Sequence, residues 1–468
     1  MATEVSAADK RHAMRSVIMT AAIAGLGGLL FGYDTGIIAS ALLFIEPEFD
    51  LSSFGSGLVV AAVPIGAVGG ALFAGRLSDT YGRRLMILIS AGIFIVGAVG
   101  SAIADGEAFL VISRVVVGAA IGLASAAAPV YISEVAPPDV RGRLVTFFQL
   151  SVTIGIVVAY GVGLAFEPSE DWRWMLGLGA VPAIGLLIGM LRMPQSPRWL
   201  VMVGRGYDAR ATLERIRVHD PAAIDAELEE ISESIVTEPG NWRDLLQPVA
   251  KAALVVGVGL AILQQVSGIN TVIYFAPTIV GYTGIDGDSA AILASVAVGI
   301  VNVGMTIVAI RLLDRAGRRP LLLWGTAIMG AALTALAIVF AAGASSSVGS
   351  VVAIGSLMLY VGAFAVSLGP IFWLLNAELY PIEIRSKAAS VGTMANWIFN
   401  FIVSLTFLLL IDGLGKSGAF LFYAAICFLT FLFCKALVPE TKGKRLEDIQ
   451  EIFAERVGQK SAKPADQT

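Results

Sequence analysis

Two stretches, 75-GRLSDTYGRRLMIL-88 and 311-RLLDRAGRRPLLL-323, carry the same order of residues: an acid, a glycine, two arginines and an apolar run. A second pair, 131-YISEVAPPDVRGR-143 and 376-NAELYPIEIRSKA-388, shares an acid followed within eight residues by proline and arginine. Every member lies between apolar stretches, and the two kinds of loop recur in the same order. The chain is therefore read as a duplication, with each loop at a corresponding place in two repeats.

The composition says what the loops connect. Of 468 residues, 57% are hydrophobic and only 15% charged, with 51 glycines; the mean hydropathy is +0.81. Such a chain is a polytopic membrane protein. Apolar runs of the length a helix needs to cross a bilayer fall near 16-43, 56-76, 85-104, 109-132, 144-166, 174-191, 252-281, 289-310, 321-342, 350-376, 388-411 and 418-437, here spans 1 to 12. Spans 1 to 6 form a first half, residues 1-191, and spans 7 to 12 a second, 252-437, with a charged linker at 192-251 and a tail at 438-468. An all-α membrane protein of twelve transmembrane helices follows. Two six-helix repeats meeting around a midplane cavity describe the major facilitator architecture.

Of the 32 Lys and Arg residues, only Arg173 and Lys416 fall in one set of loops, and Arg114 lies within a span. The rest share the other side, which the positive-inside rule places in the cytoplasm with both termini. The linker has helical charge spacing interrupted at Pro221 and reads as two or three short helices; 439-460 reads as another amphipathic helix. Span 1 follows Lys10, Arg11 and Arg15 but is too long for a signal peptide and is taken as retained. Cys427 and Cys434, both in span 12, read as packing thiols.

Charged and polar residues inside the spans locate candidate chemistry. Asp34, in 31-FGYDTGIIAS-40, would cost about 2.5 to 3.5 kcal/mol in a membrane span without a partner or a role. Helix rise puts it about 14 Å below the outer end of span 1 and Arg114 about 8 Å below that of span 4, an offset an arginine side chain covers. In the duplicated loops, Asp79 and Asp314 can pair with Arg83, Arg84, Arg318 and Arg319, and Glu134 and Glu378 can reach the other loops' arginines, with Arg141 and Arg385 beside them. These groups read as cytoplasmic latches between helices. Gly268 and the pair Gly369-Pro370 are expected to break spans 7 and 10.

The stretches GYDTG (32-36), GRLSDTYGRR (75-84), PQSPRWL (194-200), QQVSGINTVIYFAP (264-277), DRAGRRP (314-320), GPIFWLLNAELYP (369-381) and PETKG (439-443) together resemble the sugar porter family of the major facilitator superfamily. The chain looks most like the bacterial proton-coupled glucose and xylose symporters and is similar to the animal GLUT facilitators. The resemblance covers nearly the whole chain. It implies a sugar site at Gln149, Gln264, Gln265, Asn270, Tyr274, Asn302, Trp373, Asn396 and Trp397, and a proton site at Asp34 with Arg114 as its partner. Amides offer a donor and an acceptor to hydroxyls that are both, and an indole face suits the C-H face of a pyranose. The same amides could instead glue helices together. Two positions depart from the family pattern: Gln195 stands where an acid is usual, and Thr80 where an arginine is usual.

The resemblance implies a monosaccharide and a proton as partners within the lipid bilayer, a monomer, a bacterial inner membrane, and no cofactor or metal. The short loop at 46-53, without a glycosylation sequon, differs from the long first outer loop of the animal transporters. An enzyme is disfavoured, since the two histidines, His12 and His219, lie outside the spans, and 415-GKS-417 has Leu410 where a phosphate-binding loop needs glycine. A nucleic-acid partner has no support. An uncoupled facilitator, whose matching residue at position 34 is asparagine, and a non-transporting sugar sensor are the alternatives.

Overall fold

The computed structural model of the protein describes residues 7-137, 140-217, 221-233, 241-283, 287-343, 347-381, 383-444 and 446-458. His219 and the tail beyond 458 lie outside them. The described chain is helical, and eleven of its helices are long and apolar enough to cross a membrane. The last of these, Arg385–Leu437, runs for 53 residues, far more than one crossing of about 30 Å requires. Its backbone leaves the helical region at Gly415 (φ 71°, ψ 167°), between the predicted spans 11 and 12. All twelve spans are thereby accounted for.

The duplicated loops are tight turns with one backbone solution. Gly82 separates Ser53–Tyr81 from Arg83–Ala102 with φ 93°, and Gly317 separates Asp288–Ala316 from Arg318–Ala341 with φ 88°. A side chain is strained at these angles. A Cβ at either glycine would also strike a neighbour, Gln195 at 2.3 Å or Glu440 at 2.7 Å.

Span 7 is broken as expected. Pro248–Val266 ends before Gly268 (φ 91°), and short helices Ile269–Tyr274 and Ala276–Gly281 continue it. Span 10 breaks earlier than Gly369-Pro370, at Ser367 (φ −125°, ψ −101°), between Ser347–Val366 and Leu368–Glu378. Pro370 sits in the first turn of the new helix, where its missing N–H is not needed, and in a continuous helix its ring would clash with the Val366 carbonyl four residues earlier, so the proline expected to break span 10 accounts for the interruption at Ser367.

Glycine seams fix the order of the first half. A Cβ on Gly28, Gly32 or Gly36 of span 1 would lie 2.5, 1.8 or 2.8 Å from a carbonyl oxygen of span 5. Gly66 and Gly70 of span 2 and Gly118 and Gly122 of span 4 meet backbone equally closely. Helices with such seams approach until their backbones touch. Because Gly32 and Gly36 each stand two residues from Asp34, about 200° around the helix, the seam turns Asp34 away from span 5.

The linker forms helices Pro197–Met202, Gly206–Ile216 and Pro221–Glu233 and a 3-10 turn, Trp242–Leu246; the tail forms Leu446–Arg456. The end of the bundle bearing them is termed the linker face. At the opposite, far face the spans of the two repeats are tied: the Tyr160 hydroxyl donates to the Ile273 carbonyl at 2.8 Å and the Ser289 hydroxyl to Glu167.

Candidate functional site

Asp34 and Arg114 meet. Arg114 Nη1 lies 3.3 Å from Asp34 Oδ1, and the two side chains retain only 2% and 9% of their exposure. The spans 2 and 4 seam brings the Val59 carbonyl within 2.8 Å of Arg114 Nε. The cation thus holds spans 1, 2 and 4 together. The helix Ile269–Tyr274 of span 7 packs against span 1 from the second repeat.

The break in span 7 gathers four of the predicted sugar residues. Gln265 Nε2 donates to Asn396 Oδ1 (3.0 Å), Asn270 Nδ2 to Gln265 Oε1 (2.6 Å), and Asn396 Nδ2 to Gln264 Oε1 (2.6 Å). Gln264 Nε2 reaches the carbonyls of Leu368 and Gly369 at 2.8 and 3.3 Å, just after the interruption in span 10. Such a network is able to exchange internal partners for hydroxyls, since every member both donates and accepts. Beside it, the Trp397 ring lies 5.3 Å from Phe31 of span 1, so the second repeat touches the first there. The Trp397 indole N–H is buried without a partner among the described residues, a donor that a ligand oxygen would satisfy.

The other predicted sugar residues stand apart from this network. Tyr274 makes a long contact with Asn400 at 3.5 Å. Asn302 is buried, Gln149 half-buried, and Trp373 38% exposed. Gln149 and Trp373 lie about 12 and 8 Å from the linker-face ends of their helices, on the side away from the ties at the far face.

The latch residues divide into two kinds. Arg83 pairs with Asp79 (3.0 Å) and Glu134 (3.1 Å), and Arg318 pairs with Glu378 (3.1 Å). Among the described residues, the side chains of Arg84 and Arg319, expected to meet acids, meet none. Arg84 donates to the carbonyls of Met190 (2.9 Å) and Leu191 (2.6 Å), and Arg319 to that of Lys435 (2.7 Å). These carbonyls lie in the last turns of spans 6 and 12 and carry partial negative charge, so they compete with the carboxylates. Arg385 Nε donates to the Tyr380 carbonyl (3.3 Å), and Arg141 is exposed outside these contacts. The Asp314 side chain lies outside the described residues.

The sequence reading missed a third duplicated element. 194-PQS-196 follows span 6 and 439-PET-441 follows span 12, and they make matching bonds. The Ser196 hydroxyl donates to Glu134 at 2.6 Å and the Thr441 hydroxyl to Glu378 at 2.7 Å. Gln195 accepts the backbone N–H of Arg84 at 3.2 Å, while Glu440 accepts those of Arg318 and Arg319, each at 3.0 Å. Partial burial pushes the Glu440 carboxyl up, but the amides of Lys442, Arg318 and Arg319 and the charge of Arg318 hold it below its ordinary value. The signal was the shared proline, polar residue and hydroxyl after the last span of each repeat.

A family model for sugar (and other) transporters matches residues 20-453. A glucose transporter of Staphylococcus epidermidis is 40% identical over 93% of this chain and 97% of its own length. The galactose-proton symporter of Escherichia coli is 40% identical over 92% of each chain. The partially occluded, inward-open structure of the E. coli xylose transporter XylE superposes with a TM-score of 0.81, at 31% identity, over 92% of this chain and all of that one.

Proposed function

The chain belongs to the family of sugar (and other) transporters, and from that premise we propose that it is a proton-coupled monosaccharide symporter, carrying a hexose such as glucose by alternating access between two six-helix halves. The linker face and both termini lie in the cytoplasm, and the protein works as a monomer in a bacterial inner membrane. The chain is a multi-pass membrane carrier, not an enzyme. The observation that carries the coupled reading is the buried Asp34–Arg114 pair, 3.3 Å apart, on a span against which Ile269–Tyr274 of the second repeat packs. A carboxylate whose paired cation sits on another helix binds its proton more or less tightly as the helices move, which is what coupling requires.

The sugar is bound by the amide network of Gln264, Gln265, Asn270 and Asn396 with the indole of Trp397, and Gln149, Tyr274, Asn302 and Trp373 close on it as the halves rock. The ties at the far face and the partial exposure of Gln149 and Trp373 support an inward-facing arrangement. Asp79, Arg83, Glu134, Arg318 and Glu378, with Ser196 and Thr441, brace the helix ends that must meet when the cytoplasmic side shuts.

Vesicles containing the purified chain, with an imposed inward proton gradient, are expected to accumulate labelled glucose above the equilibrium level. Competition by unlabelled xylose, galactose and inositol then ranks the sugars. Vesicles that equilibrate glucose without concentrating it would make the protein a facilitator.

A further inference from the structure

We propose that the proton reaches Asp34 from outside through the bundle of spans 1, 3, 4 and 6, by way of a water held between Asp34, Arg114 and Ser101, on a route separate from that of the sugar. The proposal rests on the symport reading above.

The Asp34–Arg114 pair is a partition. On one side the helix Ile269–Tyr274 of the second repeat packs against span 1. On the other is a cavity of about 10 Å³ with walls from spans 1, 3, 4 and 6. That is room for about one water. No described residue of spans 7 to 12 lines it.

The cavity has the partners a buried water needs. The hydrogen bonds of Arg114 use Nε and Nη1, and that of Asp34 uses Oδ1, leaving Nη2 to donate to the water and Oδ2 to accept from it. The Ser101 hydroxyl donates to the Gly97 carbonyl at 2.9 Å and that of Tyr33 to the Met175 carbonyl at 2.7 Å, so both oxygens keep lone pairs for the same water. Phe94, Ala98 and Leu176 supply apolar wall and compete for none of these bonds.

The cavity also points outward. Ser101 is one residue from the far-face end of span 3, Ala102, about 2 Å along the helix axis. Beyond it, Arg173 donates to the Ala104 carbonyl at 3.1 Å and pairs with Glu48 at 2.7 Å. In the relay the water gives a proton to Oδ2 of Asp34 and takes one from the outer side. One proton moves inward, and no electrons change hands. Asp34 becomes neutral and loosens its hold on Arg114, while the sugar enters between the repeats.

Two variants outside the sugar network test the route: Ala98→Leu fills the cavity and Ser101→Ala removes its hydroxyl. In vesicles with an imposed proton gradient, glucose accumulation is expected to fall at least ten-fold in Ala98→Leu and several-fold in Ser101→Ala. Glucose counterflow without a gradient is expected to stay within two-fold of wild type. Wild-type accumulation in both variants overturns the route. A parallel loss of counterflow and accumulation in both also overturns it, because the cavity would then matter only for packing. The underlying symport reading fails by a different result, wild-type vesicles that exchange glucose and never concentrate it.

Discussion

Gln195 stands against the first turn of span 3 where Glu440 stands against the first turn of span 9, so matching sites in the two repeats differ by one negative charge. A carboxylate near a helix N-terminus is worth about 0.3 to 1 kcal/mol. Gln195→Glu is therefore expected to stabilise the detergent-purified protein by about that amount, read as a higher thermal midpoint. An unchanged midpoint would mean that the neutral amide already satisfies the helix end.

At Glu440 the charge has a pH signature. Because the folded chain favours the charged form, the contribution of Glu440 is present above the ordinary carboxylate range and is lost as pH falls through its lowered value. Glu440→Gln should lower the melting temperature at neutral pH, and its deficit should shrink on acidification below about pH 4.5. A deficit that stays constant down to pH 3 would show that the charge of Glu440 contributes nothing to stability.

The bonds of Glu134 to Arg83 and Ser196, and of Glu378 to Arg318 and Thr441, join helix ends within each repeat. In the proposed cycle, shutting the cytoplasmic side brings arginines of the other loops onto these acids, in addition to the bonds within each repeat that are formed here. Glu134→Gln and Glu378→Gln are expected to shift the population toward inward-open states, raising labelling of single-cysteine reporters placed at the linker-face ends of spans 4 and 10. Equal labelling rates in variant and parent would remove the latch role.

Gln265 and Asn270 hold one another at 2.6 Å, and Gln265 also holds Asn396 at 3.0 Å. Truncating either to alanine leaves a buried amide unpaired and removes a sugar contact, so Gln265→Ala and Asn270→Ala should each weaken glucose binding by about 1 to 3 kcal/mol. Calorimetry giving wild-type affinity in both would take them out of the site.

Much of the framework was legible because its signals are local. Apolar runs marked the spans, the duplicated acid-glycine-arginine stretches marked the loops between them, and Gly268 marked the break in span 7. The meeting of Asp34 and Arg114 followed from helix rise and the cost of an unpaired charge in lipid. What was hidden depends on which partners win in three dimensions. Nothing in GRR says that its first arginine takes the acids while the second takes carbonyls ending another helix. The PQS and PET elements share one residue type of three, and their equivalence lies in the bonds they make. Gly369-Pro370 marked the break in span 10, and it falls at Ser367 because a proline ring clashes with the helical carbonyl four residues before it.

Asp34→Asn tests the coupling itself. Asparagine keeps the size of the side chain and can still accept a hydrogen bond from Arg114, so the packing of spans 1, 2 and 4 should survive along with the Arg114–Val59 contact. What it removes is the negative charge and the capacity to take up a proton. In the proposed mechanism proton uptake by Asp34 releases Arg114 and permits the change of state with sugar bound, and proton loss resets the pair. The neutral variant resembles the protonated carrier permanently. It should bind glucose and run counterflow within about two-fold of wild type, since exchange requires the loaded carrier to move in both directions without proton release. Accumulation against a gradient and sugar-induced alkalinisation of the medium should both vanish, since no proton is carried with the sugar. A purely structural ion pair predicts the opposite ordering: binding and exchange would fall with stability, and the residual carrier would still concentrate glucose. Asp34→Asn vesicles that concentrate glucose under an imposed proton gradient would therefore exclude Asp34 as the proton site.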